Sequence, residues 1–362
     1  MNLESKTVTE TLTIKTTKTE HPRLAETDFG NLPFGKIFTD HMFVADYQDG
    51  VWKNLEIVPY GPIPMSPAIS ALHYGQAIFE GLKAYKQPNG DVSVFRADKN
   101  FARFNKSATR MAMPTIPEEV FMQGLEALIN LDKNWVPDRE DYALYIRPVM
   151  FAVDPYMGVR PSAEYKFVIL TTPTGPYFSK PLKVKIESRY TRGADGGVGA
   201  AKTAGNYALS MLPTAEDQAE GFDQLIWTDS KEHLYVEESG AANLVFVMDG
   251  KVVTPEVRET ILDGVTRDTV LNLAKSLCYG VEERRISIKE ILEKIEDGSL
   301  TEAFAVGTAA TITQIAEIGY EGKLYTLTDP ATRTVSVAIA KKLNDIRYGV
   351  TPDEFGWNWI IA

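Results

Sequence analysis

The sequence predicts an α/β protein (mixed α+β) of two domains joined by a short linker. Three observations carry that prediction. The chain has 362 residues, enough for two domains or one large one with a substantial core. Helix-like and strand-like apolar periodicities are interspersed along it. Between two strand-like runs lies Thr172-Pro-Thr-Gly-Pro-Tyr-Phe-Ser-Lys-Pro181, whose three prolines and one glycine interrupt regular structure. The expected boundaries are an N-terminal arm at 1–33, without assured order, a smaller domain at 34–172, a linker at 173–182 and a larger domain at 183–362.

Composition narrows the function. Hydrophobic residues at 44% and charged ones at 24% are ordinary for a soluble globular protein. Lys+Arg 38 against Asp+Glu 49 leaves a net charge of −11, which argues against nucleic acid and anionic membrane as partners. The single cysteine, Cys278, excludes an internal disulfide and a cysteine-based metal cluster, and it reads as a small buried hydrophobe. No metal site is expected. No apolar run approaches a membrane span. The first thirty residues carry no secretory core, their first arginine is Arg23, and Glu4 and Glu10 break the positive charge of a transit peptide. A cytoplasmic location is expected.

Val8 to Ile14 alternates weakly and reads as a marginal strand or a disordered arm. Strands follow at Met42–Asp46 and Trp52–Tyr60, then Leu72 to Tyr85 as a short helix or loop running into a strand. Asn89-Gly90 is a hairpin turn, with Val92–Arg96 as its return strand. Asp98 reads as an N-cap before a stripe of Phe101, Phe104, Ala108, Met111 and Ala112, ended by Pro114. Arg103 lies off that stripe and, on pattern alone, is a solvated helix arginine. A second helix spans Glu118 to Asn134, followed by strands at Tyr142–Met150 and Tyr165–Thr172.

Beyond the linker come Val184–Arg189, a glycine-rich loop, and a helix from Asn206 that meets Pro213. Leu225–Thr228, Leu234–Glu237 and Asn243–Met248 read as strands, and Asp249-Gly250 turns the last into Lys251–Pro255. Gly264 leads into a helix reaching Leu277, whose free N-terminal amides and dipole suit an anion or an ordinary cap. Ala303 to Ile312 is a buried strand ending in a small-residue loop, and Asp329-Pro330 opens the last long helix. There is no internal repeat.

The chemistry centres on Gly193-Ala-Asp-Gly-Gly-Val-Gly-Ala-Ala-Lys202-Thr-Ala-Gly-Asn-Tyr207. It is either a flexible turn with a solvated lysine or a site where small residues let a ligand approach closely. A nucleotide P-loop fails because two alanines separate Gly199 from Lys202, and a G-x-G-x-x-G fingerprint fails because Lys202 takes the last glycine's place. A lysine used for its own nitrogen points to Schiff-base chemistry. Glu237-Glu238 reads as an exposed acidic pair or as a site carboxylate.

The order of several motifs is more specific than any one of them. They are His73-Tyr-Gly-Gln with Phe79-Glu-Gly, Tyr145-Ile-Arg147-Pro, Lys202-Thr-Ala-Gly-Asn-Tyr207, Glu238-x-Gly with Asn243, Leu262-x-Gly-Val-Thr-Arg267, and Gly307-Thr-Ala-Ala310. In this order the chain resembles the branched-chain-amino-acid aminotransferases, fold-type IV enzymes that use pyridoxal 5′-phosphate (PLP). The resemblance runs from Phe34 to Trp357.

It implies that Lys202 binds PLP covalently and shuttles a proton, that Glu238 pairs with the pyridine nitrogen, and that Tyr207 bonds the ring's phenolate oxygen. Arg103, the amides of Val265 and Thr266, and Thr308 would hold the phosphate. Phe79, Tyr74 and Tyr145 would line the side-chain pocket. The amides of Ala309 and Ala310 would take the α-carboxylate, Arg147 the second carboxylate of glutamate or 2-oxoglutarate, and Tyr177 would close as a lid. The implied partners are small molecules and a second copy of the chain, with Tyr74 reaching the neighbour's site. Mammalian members carry a C-x-x-C pair where this chain has Ala310 and Thr313, so that thiol regulation is not expected. D-amino-acid aminotransferase and aminodeoxychorismate lyase are alternatives within the fold type. A nucleotide-dependent phosphotransferase and a non-enzymatic binding protein are alternatives outside it.

Overall fold

The computed structural model describes residues 12–178 and 180–361. The first part contains β1 (Lys15–Thr16), β2 (His41–Gln48), β3 (Val51–Pro59), α1 (Ser70–Tyr74), β4 (Ala77–Phe79), β5 (Leu82–Lys86), β6 (Val92–Phe95), α2 (Ala97–Arg110), α3 (Glu118–Leu131), β7 (Ala143–Ala152) and β8 (Tyr165–Thr174). The second contains β9 (Leu182–Ile186), α4 (Ala204–Ala208), α5 (Met211–Ala219), β10 (Gln224–Thr228), β11 (Tyr235–Ser239), β12 (Ala242–Met248), β13 (Lys251–Thr254) and α6 (Val265–Ser276). It continues with β14 (Val281–Glu283), β15 (Ile286–Ser287), α7 (Ile288–Glu296), β16 (Leu300–Gly307), β17 (Thr311–Tyr320), β18 (Lys323–Thr326), α8 (Val335–Arg347) and β19 (Asn358–Ile361).

A nine-stranded sheet runs β1-β3-β2-β8-β7-β5-β6-β19, with β4 added on β7. Its last strand comes from the far end of the chain, where Asn358–Ile361 pairs antiparallel with β6. Helices α2 and α3 cover the sheet through Phe104 and Phe121, packed on Phe43 and Phe167. Gly124 of α3 allows that approach: a Cβ there would lie 2.7 Å from the Phe43 ring.

The second sheet has ten strands in the order β14-β13-β12-β16-β17-β9-β10-β11-β15, with β18 added on β17. Because β11 also pairs with β12, the strands β12, β16, β17, β9, β10 and β11 close into a ring that leaves no free edge among them. Leu244, Phe246, Ile226 and Ile315 belong to the cluster packed within this sheet. A third cluster joins Tyr85, Phe95 and Ala143 of the first sheet to Val245, Val306, Val270 and Ile339 of the second part, so apolar packing bridges the two.

Several local expectations change. Helix α2 starts at Ala97, one residue before Asp98, with Arg96 in the left-handed region as N-cap. Asp329 caps only a single 3-10 turn at Pro330–Thr332. The long helix α8 begins at Val335, where Glu302 of β16 accepts the amides of Thr334, Val335 and Ser336 at 2.8–2.9 Å. A carboxylate from a distant strand has replaced the local cap. Cys278 is exposed rather than buried, because it follows α6 with φ +64° and its side chain leaves the helix's apolar face. Residues 1–11, including the start of the Val8–Ile14 segment, lie outside the described residues; Leu12 and Ile14 pack against the first core, and Arg23 donates to the carbonyls of Phe38 and Thr39. Among the described residues no helix is long and apolar enough to cross a membrane.

Candidate active site

The Lys202 loop is held from both parts of the chain. Arg110 of α2 donates to the carbonyls of Gly196 and Gly197 at 2.8 and 2.9 Å, and Arg192 donates to those of Thr260 and Gly199 at 2.8 and 3.2 Å. Gly199 lies so close to Thr260 that a Cβ would fall 2.6 Å from its carbonyl oxygen. The Lys202 amide donates to Ser107 Oγ at 2.9 Å, and its carbonyl accepts the Phe79 amide at 3.0 Å. Thr203 Oγ1 donates to the Ala77 carbonyl at 2.8 Å. These bonds exclude a flexible turn. Lys202 is half-buried, its amine 2.8 Å from Tyr207 Oη and 4.8 Å from the Phe79 ring centroid.

That amine opens into a cavity of about 660 Å³ walled by both sheets. Glu238 on β11 is 2% exposed, so the exposed-pair alternative falls. One carboxylate oxygen accepts the Leu262 amide at 2.5 Å and Asn243 Nδ2 at 3.3 Å; the other meets Arg192 Nε at 3.0 Å. Burial pushes the Glu238 carboxyl above its ordinary range, with Arg192, the Leu262 amide, Lys202 and Arg103 pulling the other way. Its neighbour Glu237 turns aside to accept from Thr260 Oγ1 at 2.6 Å and is absent from the cavity wall.

At another wall stands the N-terminus of α6. Its N-cap, Gly264, offers no side-chain cap, which leaves the first amides, Val265 and Thr266, to face the cavity. Only glycine fits there, since a Cβ would lie 1.9 Å from Asn243 Oδ1. Arg103 is buried, contrary to its pattern-based reading as a solvated arginine. A bidentate pair to Glu80 at 2.7 and 2.8 Å and a bond to the Asp263 carbonyl at 2.9 Å fix it. Among the described residues its remaining two N–H groups have no hydrogen-bond acceptor, so they could serve a ligand. Thr308 completes this end. A helix N-terminus, a threonine and an oriented guanidinium together are a set of donors that could hold an anion such as a phosphate.

The opposite end is aromatic. Phe79, Tyr145, Tyr177 and Phe34 line it, with Phe34 edge-on to both tyrosines at 4.9 and 5.1 Å between centroids. Arg147 donates to Tyr145 Oη at 2.9 Å and covers the Phe79 ring at 4.6 Å, while its buried Nε has no partner among the described residues. Ala309 and Ala310 lie in the turn between β16 and β17, whose carbonyls accept from Lys83 Nζ at 3.3 Å and Thr313 Oγ1 at 2.8 Å.

Of the residues expected at the site, Lys202, Arg103, Tyr207, Glu238, Val265, Thr266, Thr308, Phe79, Tyr145, Arg147, Tyr177, Ala309 and Ala310 all border this cavity. Tyr74 does not; it is 47% exposed and donates to the Met157 carbonyl. Sequence reasoning missed the orienting roles of Glu80, Arg192, Asn243 and Ser107. Glu80 and Asn243 stood inside quoted motifs, whereas Arg192 and Ser107 act on partners distant in sequence and carry no local signal.

Residues 77–318 match the family model for amino-transferase class IV. The chain belongs to the class IV aminotransferases. Within that family it is 44% identical over 339 residues to a probable branched-chain-amino-acid aminotransferase of Staphylococcus aureus (strain MRSA252), covering 92% of this chain and 94% of the relative. It is 40% identical over 357 residues to branched-chain-amino-acid aminotransferase 2 of Bacillus subtilis (strain 168), covering 98% of each. Among solved structures, the Escherichia coli branched-chain amino acid aminotransferase superposes with a TM-score of 0.73 at 27% identity, over 89% of this chain and 99% of that one. The branched-chain aminotransferase of the thermophilic archaeon Thermoproteus uzoniensis, solved with norvaline, superposes with a TM-score of 0.72 at 25% identity, over 89% of this chain and 100% of that one. This aminotransferase therefore shares a chain-long likeness with enzymes of that name.

Proposed function

We propose that this chain is a cytoplasmic, homodimeric, PLP-dependent branched-chain-amino-acid aminotransferase. It transfers the amino group of L-leucine, L-isoleucine or L-valine to 2-oxoglutarate, giving a branched 2-oxo acid and L-glutamate. One observation carries this reading: a lysine amine, a buried carboxylate and an uncapped helix N-terminus beside a buried arginine share the walls of a single cavity. When bound, PLP supplies the electron sink that lets a proton leave the substrate's Cα.

The residues present fit that cofactor. The free amides of α6, Thr308 and the two unused N–H groups of Arg103 would hold the phosphate. A unit charge pair at 4 Å gives only about 4 kcal/mol at an effective dielectric of about 20, so a dianion calls for several donors rather than one. Glu238, whose charge is under-compensated in its buried setting, would accept the pyridine N–H. Lys202 would hold the cofactor and carry the proton to and from Cα, with Tyr207 Oη orienting the amine and bonding the ring's phenolate oxygen.

Phe79 and Tyr145 give the substrate side chain an apolar wall, and the Ala309 and Ala310 amides would meet its α-carboxylate. Arg147, whose Nε has no partner among the described residues, would serve the second carboxylate of 2-oxoglutarate or glutamate. It is needed in only one half-reaction, which lets one pocket accept both substrate classes. Tyr177, 46% exposed at the cavity mouth, would exclude water as a lid. Tyr74 would serve the partner's site in the homodimer; the exposed Leu72, Tyr74, Met157 and Val159 around it support such a contact.

The test is turnover with L-leucine and 2-oxoglutarate against D-amino-acid donors. The expected outcome is product with the L-donor and the L-to-D preference of a branched-chain enzyme. Equal or greater turnover of D-alanine would refute the assignment.

A further inference from the structure

The turn at Ala309 and Ala310 also borders a second cavity of about 390 Å³, whose lining does not include Lys202. Its walls hold two buried basic side chains, Arg347 and Lys83. Arg347, at the end of α8, is 3% exposed and makes no side-chain hydrogen bond among the described residues; its Nε is buried and orphaned. The faces of Phe95 and Tyr85, at 4.7 and 5.6 Å, accompany its guanidinium. Lys83 on β5 is 9% exposed, and its one hydrogen bond among the described residues, to the Ala309 carbonyl, is long at 3.3 Å. The carboxylate on this wall is Asp141, which among the described residues has no ion pair to either cation. Lys180 at the rim is already paired with Asp223 at 3.0 Å.

Buried guanidinium groups ordinarily have their donors satisfied, so an unpartnered one in a cavity wall marks a site for an acceptor. Arg347 and Lys83 in its protonated form, against the one carboxylate of Asp141, would leave a single positive charge, which suits a monocarboxylate better than a phosphate dianion. Tyr85, Ile312 and Phe178 give part of the wall an apolar character, beside the polar Thr313, Gln314 and Asn344, which suits a ligand with a polar end and a hydrocarbon or aromatic body. We propose that this cavity binds a small monocarboxylate with an apolar body, through Arg347 and Lys83, and that its occupancy is felt at the substrate turn through the Lys83–Ala309 bond.

Burial, then the nearness of Arg347, push the Lys83 amine down to about 7, with Asp141 opposing, and a bound carboxylate would relieve that strain between like charges. The coupling half of the proposal rests on the reading of Ala309 and Ala310 as the α-carboxylate site; the binding half does not. Tyr177 borders both cavities and would feel an occupant from either side.

The test titrates holoenzyme calorimetrically with phenylacetate, using wild type, Arg347→Met, Arg347→Lys and Arg147→Met. Saturable binding is expected in wild type, weakened at least about tenfold in Arg347→Met, partly kept in Arg347→Lys and unchanged within about twofold in Arg147→Met. Binding that survives Arg347→Met, binding lost only in Arg147→Met, or no saturable binding would overturn the site. If Arg347→Met fails to fold, Lys83→Met provides the same comparison. Saturating phenylacetate should also raise the KM for L-leucine in wild type but not in Arg347→Met. An unchanged KM with binding intact would overturn the coupling alone, and an enzyme without leucine turnover before any addition would instead refute the transaminase reading.

Discussion

Gly81→Ala tests the link between Tyr145 and Arg147. Gly81 lies against the tyrosine so closely that an added Cβ would sit 2.2 Å from its hydroxyl and 3.0 Å from Cζ. Tyr145 is 5% exposed, and the edge-on Phe34 ring at 4.9 Å leaves it little room to retreat. The hydroxyl must therefore leave its 2.9 Å bond to Arg147, whose Nε has no partner among the described residues to compensate. A hydrogen bond to a charged group contributes about 1.5–3 kcal/mol, which corresponds to roughly 10- to 150-fold in an equilibrium constant. On the proposed reading Arg147 would serve only the five-carbon diacid, so the loss should fall on one half-reaction. Single-turnover measurements, with L-leucine and with 2-oxoglutarate separately, should show apparent affinity for 2-oxoglutarate weakened about tenfold or more. The leucine half-reaction should change by less than about threefold. Tyr145→Phe, which removes the hydroxyl without the clash, should show the same selectivity. Equal losses in both half-reactions, or no loss in either, would refute the reasoning.

Other expectations follow from the same structure. Glu302→Ala should remove the carboxylate that accepts three amides at the start of α8, costing about 3 kcal/mol in a denaturant melt and leaving turnover per folded molecule unchanged. Glu238→Gln should keep bound cofactor, measured by absorbance, while kcat falls about 100-fold or more, because a neutral amide cannot hold a pyridine proton. Lys83 has a folded-state pKa of about 7 against 10.5 for the free side chain, so between those values the unfolded chain binds the extra proton and stability rises with pH. Denaturant melts at pH 7, 8 and 9 should therefore show wild type gaining on Lys83→Met by up to about 1.4 kcal/mol per pH unit, and a flat difference would contradict the burial argument.

Much of the fold was legible where local rules govern. The Asn89-Gly90 and Asp249-Gly250 turns stand between paired strands, and the α6 start at Gly264 is where the helix signal put it. The closed ring was not legible: β11 and β12 are a local hairpin through Gly240-Ala241, but the ring closes only through β12–β16 and β9–β17, which pair strands far apart in sequence. Helix α7 was overlooked although Ser287-Ile-Lys-Glu290 spells its start: the Ser287 hydroxyl accepts the Glu290 amide at 3.0 Å. Periodicity misplaced Arg103 because an arginine off the apolar stripe is normally solvated, and its burial is made tolerable by the distant Glu80 carboxylate and the Asp263 carbonyl. The site residues were readable as a constellation through resemblance, whereas the residues that hold them, such as Arg192 and Ser107, become visible only when the chain is folded.

The most direct test is chemical. Purified holoenzyme is reduced with borohydride, digested, and its peptides mapped by mass. The pyridoxyl group should be found on Lys202, and Lys202→Ala should abolish both the adduct and turnover while its melting behaviour stays close to wild type. A pyridoxyl group on another lysine, or an unmodified Lys202 in protein that plainly contains pyridoxal, would contradict the account.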